Sequence, residues 1–392
     1  MLSRQLSASF AAMNDAPHVD SRVLVAGAGI GGLCLAQGLR RAGVGVTVFE
    51  ADPSPACRGQ GHRITLKSAG VQALRSCLPP ELYALCLATS IRPATTMTFT
   101  DERLTPRFSK PIPALPPEEH LGVNRLTLRE ILLSGLGGDV RFGAAFESFD
   151  RTADGRVLAR FADGSTATGD LLVGADGTGS AVRRIIAPHA ELEDLGGFVY
   201  GRTTITPGLL AWLPEVLLDS FNRVTGPVGA MSVATCRRHT PAAGPGLTGI
   251  PDYLAWTVDG WPDGPPTGAR PEELHRLAAE MVGGWHPAAR RVVAEADVAA
   301  TFAVRLRSAL PFPPWQAPGV TLLGDAAHTM SPGRGEGANI ALKDAALLAA
   351  EITAARPGGL AAAVARYERE MFAYAFEAVA ASRDHPFAPR RR

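Results

Sequence analysis

Three glycines and one glutamate near the start of the patterned sequence have the spacing needed to bind a dinucleotide. Gly27 permits a tight turn from strand to helix, Gly29 lets the backbone approach a pyrophosphate, and Gly32 lets the helix pack closely on the strand. The free N–H groups and the positive end of the helix dipole then face the phosphates. Glu50, at the end of the next apolar run, can accept hydrogen bonds from ribose hydroxyls.

The elements that would position these residues follow in the required order. Residues 22–26 form an apolar run typical of a buried parallel strand, and residues 33–40 have apolar side chains at helical spacing. Gly43 stands where that helix would end, and residues 44–49 form a second apolar run. We therefore predict a βαβ unit whose first turn holds the phosphates.

The GxGxxG pattern alone is a weak signal, because residues 244–249 repeat it. That second copy follows no strand and contains Pro245, so it predicts a loop rather than a helix start. The acid at position 50 favours NAD or FAD over NADP, and it leaves NAD and FAD as open alternatives.

A second segment places an aspartate directly after an apolar strand. Asp-Gly pairs at positions 154 and 163 predict an antiparallel β-meander over about residues 146–172. The chain then enters a buried strand and leaves it on a turn that contains Asp176 and Gly177, after which Ser180 can begin a helix.

A third segment repeats this arrangement near the end of the chain. An apolar strand ends in Gly324-Asp325, a loop rich in proline and glycine follows, and residues 338–352 predict a long helix. Gly335 and Gly337 leave backbone N–H groups bare at that helix start, where an anionic ring edge would be stabilised.

The three segments, in this order and at these separations, resemble the group A flavoprotein monooxygenases, the family of p-hydroxybenzoate hydroxylase. The resemblance extends from about residue 22 to the final helices, and its narrow features are the Asp-Gly turn and the Gly-Asp-Ala-Ala-His…Pro…Gly-x-Gly-x-Asn block. Arg125, Leu128 and Leu132 match a further family pattern, Arg-x-x-Leu-x-x-x-Leu, and Gly61 matches a loop that borders the flavin. The resemblance implies an FAD site formed by Gly27, Gly29, Ile30, Gly31, Gly32, Glu50, Ala51, Arg63, Arg125, Asp176, Gly177, Asp325, Pro332, Gly335, Gly337, Ala338 and Asn339.

Within that set, the resemblance implies distinct roles. The first glycines hold the FAD pyrophosphate, Glu50 holds the adenosine ribose, and Asp325 holds the ribityl or pyrophosphate portion. The residues from Pro332 to Asn339 line the isoalloxazine, and Asp176 with Gly177 lies near the flavin and the path of the pyridine nucleotide. No catalytic residue is identified, because this chemistry requires no protein nucleophile, and no metal site is expected.

Several other polar residues have structural interpretations. Glu336 stands where many family members have Gln, and we expect its carboxylate to point away from the flavin. We expect His328 to fix its loop by hydrogen bonds rather than to act as a base. For His62 two alternatives stay open: a solvated side chain, or a contact with flavin or substrate. Lys343 and Asp344 are expected on a solvated helix face. Thr127 and Glu130 have the spacing of a capping box.

The resemblance implies an enzyme that uses FAD, transiently bound NAD(P)H and O₂. A flavin C4a-hydroperoxide would hydroxylate, epoxidise or oxidatively rearrange a small aromatic or polycyclic metabolite, as in secondary metabolism. Two alternatives stay open: a reductase or halogenase on the same fold, and a non-catalytic FAD protein that sequesters a pathway intermediate. The halogenase segment Trp-x-Trp-x-Ile-Pro is not matched, since Trp256 and Trp261 are too far apart for it. Core packing explains most of the aromatic residues that are candidates for a substrate pocket, so they do not identify the substrate.

The fold class predicted is a mixed α/β arrangement with two domains. The FAD-binding domain, Rossmann-like with a β-meander, is expected to be discontinuous, and an antiparallel sheet is expected to form the substrate domain. The expected ranges are 21–80, 110–183 and 300–355 for the FAD-binding domain, 81–109 and 184–299 for the substrate domain, 1–20 for a disordered tail and 356–392 for a C-terminal helix and tail.

Composition sets the remaining expectations. The 392 residues have a formal net charge of +1, which gives no reason to expect nucleic acid or an anionic membrane as a partner. No apolar run is long enough for stable membrane insertion. Five cysteines without CxxC spacing favour reduced thiols in a cytoplasm. The oligomeric state is left open.

Overall fold

The computed structural model describes residues 22–57, 61–239 and 246–383. The N-terminal tail, the start of the second glycine pattern at 244 and 245, and the basic C-terminal end lie outside the described residues. Among the residues described, no helix is long and apolar enough to cross a bilayer.

Strands and helices alternate through the first part of the chain, and strands dominate its middle. The strands are β1 (Arg22–Ala26), β2 (Gly45–Glu50), β3 (Arg63–Lys67), β4 (Thr96–Asp101), β5 (Pro106–Pro111), β6 (His120–Asn124), β7 (Val140–Phe142), β8 (Phe146–Arg151), β9 (Val157–Phe161), β10 (Thr166–Gly169), β11 (Leu171–Gly174), β12 (Leu192–Thr204), β13 (Ser220–Thr225), β14 (Ala230–Cys236), β15 (Tyr253–Asp259), β16 (Phe302–Ala309) and β17 (Val320–Leu322). The helices are α1 (Ile30–Arg41), α2 (Ser68–Cys77), α3 (Pro80–Ala88), α4 (Arg125–Leu133), α5 (Ala181–Ile186), α6 (Pro207–Leu210), α7 (Pro271–Met281), α8 (Pro287–Ala294), α9 (Asp325–His328), α10 (Gly337–Thr353) and α11 (Leu360–Arg383).

A five-stranded parallel sheet organises the first layer, with the order β17-β11-β1-β2-β7. Its central strands are buried on both faces, which explains their continuous apolar sequence. Helices α1, α2 and α10 form one packed group, and the predicted meander β8–β10 contacts the sheet through the stacked rings of Phe49 and Phe161, 4.1 Å apart. Helix α11 packs on this domain, where the Tyr367 hydroxyl donates to the carbonyl of Leu322 at 2.8 Å.

A seven-stranded sheet forms the second domain, with the order β16-β12-β15-β14-β13-β4-β5. It is antiparallel except where β13 pairs with β4 in parallel. The 300–355 segment is divided between the two sheets, because its first strand, β16, pairs with β12. One apolar cluster packs the sheet against α7 and α8. A smaller cluster containing Tyr200 and Tyr253 belongs to the opposite side of the sheet. There the sheet meets the two-stranded ladder β3–β6 of the first domain, since the Asn124 amide donates to the Tyr253 hydroxyl at 3.0 Å.

Candidate active site

The carboxyl ends of four neighbouring parallel strands meet at one edge of the first sheet. β1 ends at Ala26, β2 at Glu50, β11 at Gly174 and β17 at Leu322. The three predicted segments therefore leave the sheet at one edge, beside the central strand. In open α/β sheets, this edge forms the crevice in which ligands bind.

The first loop is shaped by glycines that no other residue can replace without a shift of backbone. Gly27 has a φ of +112°, and a Cβ there would overlap the Ala175 carbonyl and lie 2.9 Å from the Asp176 nitrogen. A Cβ at Gly32 would overlap the Gly27 carbonyl. These two glycines bring the first and second loops into direct contact.

Gly29 has a different environment, because a Cβ there would meet nothing within 4 Å. Gly29 is the N-cap of α1, which has no side-chain cap and no acid in its first turn. The start of α1 therefore presents bare amide groups toward open space, which is the arrangement that binds phosphate. Ile30 and Gly31 form the first turn of this helix.

Glu50 is bound to the first loop by its own carboxylate. It accepts from the Ala28 amide at 2.7 Å and from the Asp52 amide at 3.0 Å. Arg129 completes this arrangement: its guanidinium donates to the carbonyls of Ala28 and Pro55 at 3.0 and 2.9 Å and lies 3.8 Å from the Glu50 carboxylate. Ala51, the next residue after β2, is exposed.

The Arg-x-x-Leu-x-x-x-Leu pattern indicates Arg125 and gives no role to Arg129. Arg129 is 4% exposed and lies one turn after Arg125 on α4, on the face that also contains Leu128 and Leu132. A charged residue at a helical position that the apolar period assigns to the interior is the signal that would have found it.

The second loop is fixed by Asp176 and by the buried guanidinium of Arg183. One Asp176 oxygen accepts from the amides of Ala181 and Val182 at 2.7 and 3.3 Å, at the start of α5. The other oxygen, Oδ1, is buried and has no hydrogen-bond partner among the described residues. Gly177 has a φ of +75° and faces open space. A buried carboxylate oxygen without a partner is an acceptor available to a ligand.

Arg183 joins the second loop to the third. It donates to the carbonyl of Thr178 at 2.6 Å and to that of Ala326 at 2.8 Å, while the hydroxyls of Thr178 and Thr329 lie 2.9 Å apart. Burial lowers the pKa of Arg183, although the charges of Asp176 and Asp325 oppose this effect. The loops after β11 and β17 therefore form one hydrogen-bonded unit.

The third loop begins with Asp325, whose side chain is accessible to solvent from the crevice. The surrounding protein partly desolvates the carboxyl and raises its pKa, although the nearby His328 and Arg125 act in the opposite direction. Pro332 starts a short 3-10 turn, and Gly335 ends it with a φ of +65° and open space around it. Gly337 and Ala338 then form the start of α10.

Asn339 ties this loop to β3. Its side chain accepts from the Lys67 amide at 2.7 Å and donates to the carbonyls of Thr65 and Gly335 at 3.0 and 2.9 Å. Both polar atoms of the side chain are thus used within the protein. Asn339 therefore holds the loop in place from behind.

Behind the third loop, the buried side chains of His328 and Asp344 and the half-buried side chain of Tyr374 form a hydrogen-bonded chain. His328 Nε2 lies 2.6 Å from Asp344 Oδ2, which also accepts from the Gly324 amide at 2.7 Å. The Tyr374 hydroxyl, on α11, donates to Asp344 Oδ1 at 2.6 Å. His328 therefore fixes its loop, as expected.

The expectation that Asp344 lies on a solvated helix face is wrong, because its side chain is fully buried. Asp344 lies on the same face of α10 as Ile340, Ala341, Ala345 and Leu348, which are buried. Lys343 lies over the Tyr374 ring, with its ammonium 3.4 Å from the ring centroid. The helical period of the apolar residues could have indicated that Asp344 faces the core.

Where the two domains meet, polar atoms are buried without partners. Within the part of the chain that the structure describes, the Tyr200 hydroxyl, His62 Nδ1 and Arg63 Nε have no hydrogen-bond partner of ordinary geometry. The rings of His62, Tyr200 and Phe302 lie 4.9 to 6.3 Å apart. Burial, with a contribution from the charge of Arg125, lowers the pKa of His62 to about 4. His62 is therefore neutral at pH 7.

Helix α4 begins beside this cluster, where the Arg125 amide donates to the His62 carbonyl at 2.8 Å. The capping-box expectation for Thr127 and Glu130 is wrong. Asn124 caps the helix instead, since its Oδ1 accepts from the amides of Leu126 and Thr127 at 3.0 and 3.3 Å. Glu130 accepts from the Thr248 amide at 3.0 Å.

Taken together, the crevice contains the bare start of α1, open space beside Gly29, Gly177 and Gly335, and the unpartnered oxygen of Asp176. The bare amides suit a pyrophosphate, the acceptor suits a hydroxyl or ring N–H, and the start of α10 suits an electron-rich ring edge. These residues fit an FAD molecule.

Comparisons with known proteins point to the same cofactor. A family model described as an FAD binding domain matches residues 20–199 and 235–382. A dual O-methyltransferase/FAD-dependent monooxygenase, elcB from Phaeosphaeria nodorum, is 34% identical over 381 residues, which cover 83% of this chain and 39% of that protein. The FAD-dependent monooxygenase dbaB from Emericella nidulans is 33% identical over 359 residues, which cover 85% of this chain and 87% of the relative. A crystal structure from Photorhabdus luminescens, assigned as an FAD-containing monooxygenase, superposes with a TM-score of 0.77 at 32% identity, over 92% of this chain and 96% of that one.

Proposed function

This chain belongs to the FAD-binding domain family that includes FAD-dependent monooxygenases, and from that premise we propose that it oxygenates a small aromatic or polycyclic metabolite with NAD(P)H and O₂. The observation that carries the proposal is the meeting of three loops, distant in sequence, at the carboxyl edge of one parallel sheet. Because the chain spans only 39% of its relative elcB, the substrate and the full activity belong to the proposal.

Bound in this crevice, FAD would supply the redox chemistry, taking electrons from NAD(P)H and passing them to O₂. The first loop and the start of α1 would hold the pyrophosphate, and Glu50 with Arg129 would keep that loop in its binding shape. The start of α10 would face the flavin ring, where the helix dipole stabilises negative charge. Asp325 would hold the ribityl or pyrophosphate portion.

The junction of the two domains supports a substrate site. Its aromatic and apolar residues suit a planar ring system and exclude water, and the unpartnered atoms of Tyr200, His62 and Arg63 suit oxygen substituents. A neutral His62 can accept or donate one hydrogen bond without introducing a second positive charge beside Arg125. The residues of this site that bind substrate are open to test.

The five cysteines, all free, fit a reducing cytoplasm, and we propose that location.

The test is a screen of oxygenated aromatic and polycyclic metabolites with the FAD-loaded protein. We expect one FAD per chain, NADH or NADPH oxidation stimulated by the substrate, and one atom of ¹⁸O from ¹⁸O₂ in the product. Peroxide is measured in parallel, because coupled turnover yields product rather than H₂O₂. A protein that binds no FAD, or that binds it and shows no stimulated oxidation across the panel, contradicts the proposal.

A further inference from the structure

Strand β3 is attached to the loop before α10 by two side chains that act at different points. Asn339 contacts the backbone at Thr65, Lys67 and Gly335, as described above. The Lys67 ammonium donates to the Arg334 carbonyl at 3.1 Å and forms an ion pair with the Glu336 carboxylate. A Cβ at Gly70 would lie 2.5 Å from the Asn339 side chain, so the fit between the two segments is close.

Glu336 places a negative charge at the start of α10. Glu336 is the N-cap residue of α10, and its side chain makes no capping hydrogen bond to the helix. Its side chain is 19% exposed, against 45% for Lys67, so the carboxylate is the more shielded partner. A carboxylate at this point adds negative charge at the end of α10 that the helix dipole makes positive.

That negative charge opposes the function proposed for the same helix end. An anionic ring edge is stabilised there by the dipole, and an uncompensated carboxylate one residue before Gly337 would cancel part of that effect. Lys67 supplies a compensating charge from a separate element, and its second hydrogen bond, to Arg334, fixes the ammonium against the loop.

We propose that Lys67 is a positioning residue that neutralises Glu336 and thereby sets the reduction potential of the bound flavin. This inference rests on the proposed function, because it requires FAD at the start of α10. It concerns the balance of two charges, whereas Asn339 supplies the mechanical attachment of the loop.

The experiment measures the reduction potential of bound FAD in the wild type, Lys67→Met, Glu336→Gln and the double variant, by equilibration with reference dyes. We expect Lys67→Met to make the potential more negative, since an unpaired carboxylate disfavours the reduced anionic ring. Glu336→Gln should make it more positive, since an unpaired ammonium favours that anion. For a partly exposed pair, each change in the equilibrium constant of reduction should be about two- to fivefold. The double variant should return close to the wild type.

Arg276→Met is the matched control, because it removes one positive charge from an exposed pair with Glu280. It should leave the potential unchanged. Lys67→Arg should keep the wild-type potential if charge is what matters, and it provides the informative variant if Lys67→Met fails to fold. The proposal is overturned if Lys67→Met and Arg276→Met shift the reduction potential equally. It is also overturned if Lys67→Met and Glu336→Gln shift the potential in the same direction. Failure of the wild type to bind FAD instead contradicts the proposed function itself.

Discussion

Buried polar groups are hydrogen-bonded to different extents in two regions: the loops at the edge of the parallel sheet, and the junction with the seven-stranded sheet. In the loops, most buried charged groups are hydrogen-bonded: Glu50 to two amides, Arg183 to two carbonyls, and Asp344 to three donors, whereas Asp176 Oδ1 and His328 Nδ1 have no partner among the described residues. At the junction, the Tyr200 hydroxyl, His62 Nδ1 and Arg63 Nε have no hydrogen-bond partner in the described ranges 22–57, 61–239 and 246–383. A satisfied network gives one rigid shape, whereas unpaired groups lower stability and leave hydrogen bonds for a ligand. The contrast suggests that the loops are largely preorganised, with Asp176 Oδ1 left as an acceptor for a ligand, and that the junction is completed by its substrate.

The largest effect should come from Gly27→Ala. The added Cβ would meet the Ala175 carbonyl at a φ of +112°, so we expect the apoprotein to lose roughly 2–5 kcal/mol of unfolding free energy and to bind FAD poorly. Gly29→Ala is the matched variant, because its Cβ meets only open space. It should keep the stability of the apoprotein and weaken FAD binding at least about tenfold. Thermal unfolding and FAD titration separate the two. Equal stability losses in both variants would show that the loop is not preorganised.

The next effect concerns the buried guanidinium of the first loop. Arg129→Met should lower the unfolding free energy by roughly 2–4 kcal/mol, since it leaves two carbonyls without their donor and removes the positive charge that compensates the buried Glu50 carboxylate. Arg160→Met, at an exposed pair with Asp150, should change it by less than about 1 kcal/mol. Denaturant unfolding of both variants tests this difference, and similar losses would contradict the special role of Arg129.

Two histidines should give pH dependences of opposite sign. For His328, burial disfavours the charged ring, but the charge and hydrogen bond of Asp344 raise its pKa overall, so its contribution to stability is full below the unfolded pKa of about 6.5 and is lost as pH rises through the folded value. For His62, burial lowers the pKa to about 4, so stability falls as pH drops from about 6.5 toward 4. The test is to measure the unfolding free energy of His328→Asn and of His62→Asn as a function of pH. Each variant should lack the pH dependence that its own histidine contributes in the wild type. A wild-type slope retained in either variant excludes that histidine as its source.

The smallest effect distinguishes two tyrosines of the junction. Tyr253→Phe should cost about 1 kcal/mol, because it removes the acceptor of the Asn124 amide. Tyr200→Phe should leave stability unchanged or slightly raised, because it removes an unpartnered hydroxyl, and it should weaken binding of an oxygenated substrate found in the screen. A loss of stability in Tyr200→Phe equal to that in Tyr253→Phe would indicate that the Tyr200 hydroxyl has a structural role.

The sequence predicted the loops well, because their shape requires glycine at positions where any larger side chain would overlap the backbone. Gly27 and Gly32 are recognisable from their spacing together with the strand and helix periods around them, which the second copy of the pattern at 244–249 does not have. The helical period could have indicated that Arg129 and Asp344 face the interior, but the sequence could not predict which loop Arg129, Lys67 or Asp344 contacts, because each is brought to its loop by tertiary packing from another segment. The capping of α4 by Asn124 rather than by Thr127 shows the same limit at short range, since two plausible caps differ by three positions in the sequence.

The hydrogen bond from Tyr374 to Asp344 has a consequence for the biogenesis of the protein. A chain is synthesised from its N-terminus, so β1, α1 and the first two loops leave the ribosome long before α11 does. Asp344, behind the third loop, gains its hydrogen bond from Tyr374 only after that residue has emerged, and Met330 of the loop gains its contact with the Ser382 hydroxyl later still. Maturation of this crevice is therefore a late event, and a nascent chain that stops before the final helix would contain the first two loops without a fully anchored third.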